Sequence, residues 1–382
     1  MKDSRGEWIY DMSGCFKHNP NGLMSTHFSN HLTPCSGLPQ TSYHESTVPC
    51  LYIYTILYIW TLLYNNTNLR YSLLDLQWNN MTVVTEFIII GFQASQNSRF
   101  LMFILFIVVY GLTIFFNLLI ITLVSSSKNL HTPMYFFISQ LSISDILLTS
   151  DIVPKMLHII LLSRVTITFT DCITQIYVFG ASETFECLLL TVMSYDRYVA
   201  ICNPLHYTSI MTSTYCAILA IVSWLVTFAI MVVIISTILL LNFCGPNIID
   251  HFFCDFLPIL ELSCSDTSIV QLEVYFLSVL IIFIPLIIII FSYARIIVIT
   301  LRIPLSTGRQ KAFSTCSSHL TVVSIFYGTL FGVYIFPTKG KSMIISKILS
   351  LLYTVFTPLI NPIIYSLKNN DIKKAFHEHF RC

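Results

Sequence analysis

The sequence predicts an all-α membrane protein: a seven-transmembrane helix bundle with a short amphipathic helix at its C-terminus. Three observations carry this expectation. Of 382 residues, 55% are hydrophobic and only 10% are charged, whereas an ordinary soluble domain is roughly a quarter charged. Seven stretches meet the length of about 20 mostly apolar residues that a helix needs to cross a bilayer. Cysteines gather in one polar loop between two of those stretches, as they do on the oxidising side of a membrane.

The seven stretches run over roughly 100–125, 133–157, 172–196, 215–241, 270–298, 312–336 and 346–367. The first carries Asn117 inside an otherwise apolar run. The second and seventh are expected to be the more polar, facing protein rather than lipid, and hold Asp145 and Asn361. The third runs from Cys172 to the pair Asp196-Arg197, the fourth is almost purely apolar, and a polar loop, 242–268, follows it. The fifth holds the unmistakably apolar run "VYFLSVLIIFIPLIIIIFSYARIIVI", and the sixth is rich in hydroxyls. Pro133, Pro154, Pro285 and Pro362 fall within or at the ends of spans, where lipid-embedded helices tolerate proline. The expected organisation is an N-terminal extension, 1–80, without a packed domain; an extracellular N-terminus proper, 81–99; the membrane domain, 100–367; and a cytoplasmic tail, 368–382. The apolar run 50–64 is short for a span.

An odd number of spans puts the ends of the membrane domain on opposite sides. Basic residues such as Arg302, Arg309, Lys373 and Lys374 favour the C-terminal side as cytosolic, by a narrow margin. Cys244, Cys254 and Cys264 lie ten apart in the loop 242–268, and Cys172 opens the third span. Their spacing suits disulfides on the outer face and leaves three pairings open. From Cys172 to Arg197 is 25 residues, about 37 Å of helix, so Asp196-Arg197 sits at the inner end. The net charge of +1 gives no electrostatic case for nucleic acid. The sequence shows no inverted repeat of a transporter and no metal-spaced histidine set or nucleophile–base pair of an enzyme.

Several stretches then carry a resemblance: "TEFIIIGF" (85–92), "LHTPMYFFISQLSISD" (130–145), "MSYDRYVAICNPLHY" (193–207), "FCGPNIIDHFFCD" (243–255), "LSCSDT" (262–267), "SYARI" (292–296), "GRQKAFSTCSSHLTVVSIFYGT" (308–329) and "NPIIYSLKN" (361–369). In this order the chain resembles a rhodopsin-like G-protein-coupled receptor, specifically an olfactory receptor of the tetrapod-type group, from about Thr82 to Lys374. One departure is Phe116 before Asn117, where the family usually has glycine; its ring is expected to crowd a helix contact.

The resemblance implies a receptor, not an enzyme, whose partners are a small, mostly apolar odorant, the α subunit of a heterotrimeric G protein of the stimulatory type, and membrane lipid. It implies a plasma-membrane protein with its N-terminus outside and C-terminus in the cytosol. Asp196, Arg197 and Tyr198 form the expected switch, with Tyr293 and Tyr365 rearranging beside Arg197; arginine stays charged and offers a planar fork that an adjacent carboxylate can hold. Asn117, Asp145, Glu186 and Asn361 form a buried polar cluster, expected either to hold a structural Na⁺ or a shared proton, or to be a hydrogen-bonded network without an ion. No other cofactor or metal is expected. Around the odorant the resemblance implies Phe179, Gly180, Glu183 and Thr184 on the third span, Leu277 and Ile281 on the fifth, and Tyr327, Leu330 and Tyr334 on the sixth. Glu183 lies outside the family signature: either it biases the pocket towards amines or hydrogen-bond-donating ligands, or it is simply protonated by burial and its neighbour Glu186. The implied disulfides are Cys172–Cys254 and Cys244–Cys264, with Cys187, Cys202, Cys216 and Cys316 as free thiols. Asn80 and Asn65 open glycosylation sequons.

Overall fold

A backbone inside lipid must satisfy its own N–H and C=O groups, and a helix does so within one segment. Seven long helices form where the apolar stretches lie: α1 (Gln96–Ser126), α2 (Pro133–Leu162), α3 (Phe169–Cys202), α4 (Ser213–Ile238), α5 (Ser268–Leu301), α6 (Ser306–Ile335) and α7 (Met343–Leu351, continued through Leu352–Phe356 and Thr357–Lys368). A short helix, α8 (Asn370–His379), follows. The computed structural model describes residues 84–244, 247–302, 306–335, 343–368 and 370–379. The N-terminal extension 1–80, its apolar run and the sequons at Asn65 and Asn80 lie outside the described residues.

Among the described residues, five helices are long and apolar enough to cross a membrane by length and composition: α1, α3, α4, α5 and the 344–366 part of α7. α2 is not among these five, and α7, at a mean hydropathy of 1.6, is more polar than α1, α4 and α5 at 2.7, 2.9 and 3.1, as expected; α3, at 1.4, is more polar still. Asp145, Asp151 and Lys155 dilute α2, and serines, threonines and basic residues dilute α6.

Local signals set the ends of these helices. Ser95 caps α1 by accepting from the Ser98 N–H at 3.3 Å, and Thr212 caps α4 in the same way through Tyr215. Thr168 accepts from the Asp171 N–H at 3.1 Å and donates to the Asp171 carboxylate at 2.7 Å, which closes the first turn of α3. Pro133 stands in the first turn of α2, where its missing N–H costs nothing. Ser163 ends α2 in the left-handed region at φ 68°, reversing the chain into the strand that follows.

The all-α bundle carries one small sheet beside its helices. Three short strands, β1 (Glu86–Ile90), β2 (Arg164–Thr168) and β3 (Ile248–Ile249), form a sheet in the order β2-β1-β3 at one end of the bundle. β1 runs antiparallel to β2, pairing Phe87 with Ile167, and parallel to β3. Phe87 and Ile89 are buried while Glu86 is exposed, the period-2 pattern of a half-buried strand. The segment "EFIII" is too short for a span, and its alternation suits a strand.

Within the bundle, α3 packs against most of the other spans. Phe185 stacks on Trp224 of α4 at 3.8 Å, and Tyr177 lies parallel to Phe228 at 6.2 Å. Leu225, Ile287 and Phe291 point outward, as side chains facing lipid should. Phe116 is half buried beside Phe115, and Asn117 still donates to Pro358 O on α7 at 3.0 Å, so the crowding expected at this position does not separate the two helices there. α8 buries Ile372 and Ala375 and leaves its charged side open; Tyr135 at the start of α2 donates to Asp371 at 3.2 Å.

Candidate functional site

α3 threads three polar constellations, one above the other. At its Cys172 end, the loop between α4 and α5 folds over the bundle. Cys172 is joined to Cys254 with Cα atoms 5.5 Å apart, and Cys244 to Cys264 at 5.8 Å. Cys187, Cys202, Cys216 and Cys316 are free. Gln175, fully buried one turn along α3, accepts from the Cys254 N–H at 2.9 Å and donates to Asp151 O at 2.9 Å. The loop is thus fastened to α3 by a covalent bond and by a buried amide.

Lys347 of α7 fastens it on the other side, donating to Asp250 Oδ1 at 2.6 Å and to Gly91 O at 3.2 Å. His251 beside it is buried against Phe252 and Phe253. Burial, and then the charge of Lys347, push its imidazole down to about 3. Asp255 accepts the Phe256 N–H at 2.7 Å and caps the single-turn helix Phe256–Leu260. Burial raises its carboxyl to about 6, against the opposing effect of that hydrogen bond.

Beneath this lid lies a cavity of about 860 Å³. Of the expected contact residues, Phe179, Gly180, Glu183, Thr184, Leu277, Ile281 and Leu330 line it. Tyr327 does not: it is buried in the core against Phe326 and Phe331. The Tyr334 side chain lies outside the described residues. Met231 and Tyr353 also line the wall, and no family motif marks either. Gly180 makes room for Met231, whose Cε would stand 2.5 Å from an added Cβ. Tyr353 enters through the wide turn Leu352–Phe356 of α7, which has π-helical spacing, and its ring meets Phe179 at 5.8 Å.

Midway along the bundle, Asn361 gathers the buried acids. Its amide donates to both oxygens of Asp145 at 3.3 Å and to Glu186 Oε1 at 3.2 Å. All three residues are at most 2% exposed. Asn117 donates instead to Thr113 O and Pro358 O, and its own oxygen is without a partner among the described residues. Asn117 therefore braces α1 to α7 and is not hydrogen-bonded to the acids.

At the inner end, the Arg197 Nε donates to Asp196 Oδ2 at 2.9 Å and Nη2 to the same oxygen. The other Asp196 oxygen accepts from the Tyr207 hydroxyl at 2.8 Å. Asp196 is fully buried and Arg197 nearly so, so the carboxylate is saturated by two partners. Burial and the neighbouring carboxylate push the Tyr207 phenol far above its ordinary value, which keeps it a donor. Tyr293 does not touch this pair. Its hydroxyl lies 2.7 Å from His319 Nδ1, while the Tyr365 hydroxyl is buried without a partner among the described residues. Tyr198, half buried, packs on the core instead of joining the lock. Sequence reasoning passed over Tyr207 and His319, although both stand inside the quoted motifs; Gln175 and Lys347 carried no signal beyond being polar at span ends.

A sequence profile described as Olfactory receptor matches residues 106–381. Human olfactory receptor 11A1 is 46% identical over 77% of this chain and 93% of its own length. Human olfactory receptor 10A7 is 46% identical over 78% and 94%, and rat olfactory receptor 1468 is 44% identical over 78% and 94%. The fold is similar to that of squid rhodopsin, with a TM-score of 0.60 at 18% identity over 76% of this chain and 87% of that one.

Proposed function

The chain belongs to the olfactory receptor family, a family of multi-pass membrane receptors and not of enzymes, and from that premise we propose that it is an odorant-gated activator of a stimulatory heterotrimeric G protein, raising cAMP. The observation that carries the reading is one helix, α3, that bears the cavity wall at Glu183, the buried acid at Glu186 and the Arg197–Asp196 pair. A molecule settling against Phe179, Leu277, Ile281 and Leu330 bears on three helices at once. A shift of α3 or α6 there is carried inward through a packed, low-compressibility core. The lock responds because Asp196 can exchange Arg197 and Tyr207 for water only when the inner end opens. Arg197 is then free to donate to carbonyls in the C-terminal segment of Gα, with Tyr293 released from His319 to refill the space.

The same reading puts the sheet and disulfide-bonded lid outside the plasma membrane and α8 in the cytosol. Sugar at Asn80 or Asn65 belongs to the outer side. At mid-bundle the oxygen ligands suit a sodium ion: Asp145 and Glu186 supply carboxylate oxygens in a site without a basic partner in contact among the described residues. Such an ion would supply the positive charge that lets both acids stay ionised, which favours the resting arrangement. The test is cAMP accumulation in cells carrying the full chain, challenged with a broad odorant panel. Ligand-dependent cAMP that is lost in Arg197→Ala at equal surface level supports the reading; ligand responses that survive that change refute the coupling mechanism.

A further inference from the structure

The cavity under the lid is chemically lopsided. Glu183, Asp250, Asp255 and Glu261 line it, and no lysine or arginine does among the described residues. Lys347 offsets one of these charges through its contact with Asp250, but nothing comparable serves Glu183. Its Oε1 is buried and makes no hydrogen bond among the described residues, and the charges of Glu186 and Asp255 bear on it. An unpaired buried carboxyl is costly to keep and persists where a partner arrives from elsewhere.

A second observation is independent of the acids. His251 also lines the cavity and is 3% exposed, and neither ring nitrogen has a partner among the described residues. A neutral imidazole presents one nitrogen that accepts and one that donates. Both the floor and the lid of the cavity therefore hold acceptor capacity that the protein does not use. Phe179, Met231, Leu277 and Ile281 give the wall its apolar part, and Thr184, Gln271 and Ser278 add neutral polar groups.

Resting on the receptor reading above, we propose that the ligand class selected here is a protonated aliphatic amine, its ammonium group held by Glu183 and its hydrocarbon body lying against Phe179, Met231 and Leu277. An ammonium group carries three N–H donors and the charge that the wall lacks. His251 accepts a further N–H from the ligand or from water carried with it. A carboxylic acid ligand meets only like charge, and an ester, having no donor, leaves Glu183 unpaired.

The test uses the full chain in cells with a proximity readout of G-protein activation, recorded beside surface level and ligand-free signalling. Straight-chain amines of six to ten carbons are compared with the matching alcohols, esters and carboxylic acids. The expected result is a response to amines whose half-effective concentration rises at least tenfold in Glu183→Gln and recovers in part in Glu183→Asp. Both variants should reach the surface at the wild-type level, which shows that they fold. A response to alcohols or esters with none to amines overturns the amine assignment and leaves the receptor reading standing. So does an amine response that Glu183→Gln leaves unchanged, or silence towards amines in a chain that signals without ligand. Silence towards every class, with no ligand-free signalling from a chain present at the surface, overturns the receptor reading itself and the amine assignment with it.

Discussion

Replacing Tyr207 with phenylalanine removes one hydroxyl from the inner lock while keeping the ring. That hydroxyl donates to Asp196 Oδ1 at 2.8 Å, and a hydrogen bond to a charged group contributes about 1.5–3 kcal/mol. Tyr207 is only half buried, so water partly replaces it and the lower end applies, about 1.5 kcal/mol. Because 1.4 kcal/mol is about tenfold in an equilibrium constant, the share of receptor in the active arrangement should rise about tenfold from its resting value. Asp196→Asn should raise it as well, since a neutral amide holds Arg197 less strongly. The double variant should fall short of the sum, because both changes act on one carboxylate. The assay is ligand-free G-protein activation at matched surface level. Unchanged or reduced basal signalling in Tyr207→Phe, with the protein at the surface, would refute the view that Asp196 is held by two partners in a resting lock.

Further expectations follow from the lid and the cavity. Cys172→Ser opens a loop with a sequence separation of 82, which the chain-entropy relation values at about 4–5 kcal/mol; surface level should collapse, and a normal level would show that Gln175 and Lys347 hold the lid unaided. Gly180→Val should drive Met231 into the cavity and weaken bulky ligands by about 1–3 kcal/mol, with Met231→Ala restoring them; a dose–response series on both variants checks this. The lid should also show two opposed titrations. The Asp255 carboxyl is raised from 3.8 to about 6, so the folded lid binds the proton more tightly and gains stability as pH falls from about 6 to about 4. The His251 imidazole is lowered from 6.5 to about 3, so the lid loses stability as pH falls below about 6.5. The two nearly cancel above about pH 4, and thermal unfolding should be flat there. Asp255→Asn should uncover the acid lability and His251→Asn the acid gain; parallel pH profiles in both variants would contradict these assignments.

The spans were legible because lipid demands long apolar helices, and all seven appear within a few residues of the apolar stretches. The disulfide pairs are those that the family resemblance implied, where spacing alone left three pairings open; the expected cavity residues of α3 and α5 line it because each helix keeps one register from end to end. Tyr327 failed for a related reason: its neighbour Leu330, three residues on, reaches the cavity, while Tyr327 packs between Phe326 and Phe331. The sheet was missed because "EFIII" pairs with segments 74 and more residues away, and local pattern says nothing of such partners. Asn117 is drawn to the Pro358 carbonyl, which Pro362, four residues on and without an N–H, leaves open, a backbone event that the residue type of Asn117 does not announce. Tyr207 lies eleven residues from Asp196, and only the turn after α3 brings them together.

The claim that most needs testing is that occupation of the outer cavity releases the inner ion pair. Guanine-nucleotide exchange on purified stimulatory G protein, measured with the full chain in lipid nanodiscs, tests it directly. An activating ligand should accelerate exchange by wild type, Glu183→Gln should shift the ligand dependence without removing the maximal rate, and Arg197→Ala should abolish acceleration while ligand binding persists. Equal ligand-driven acceleration by wild type and Arg197→Ala would contradict the account.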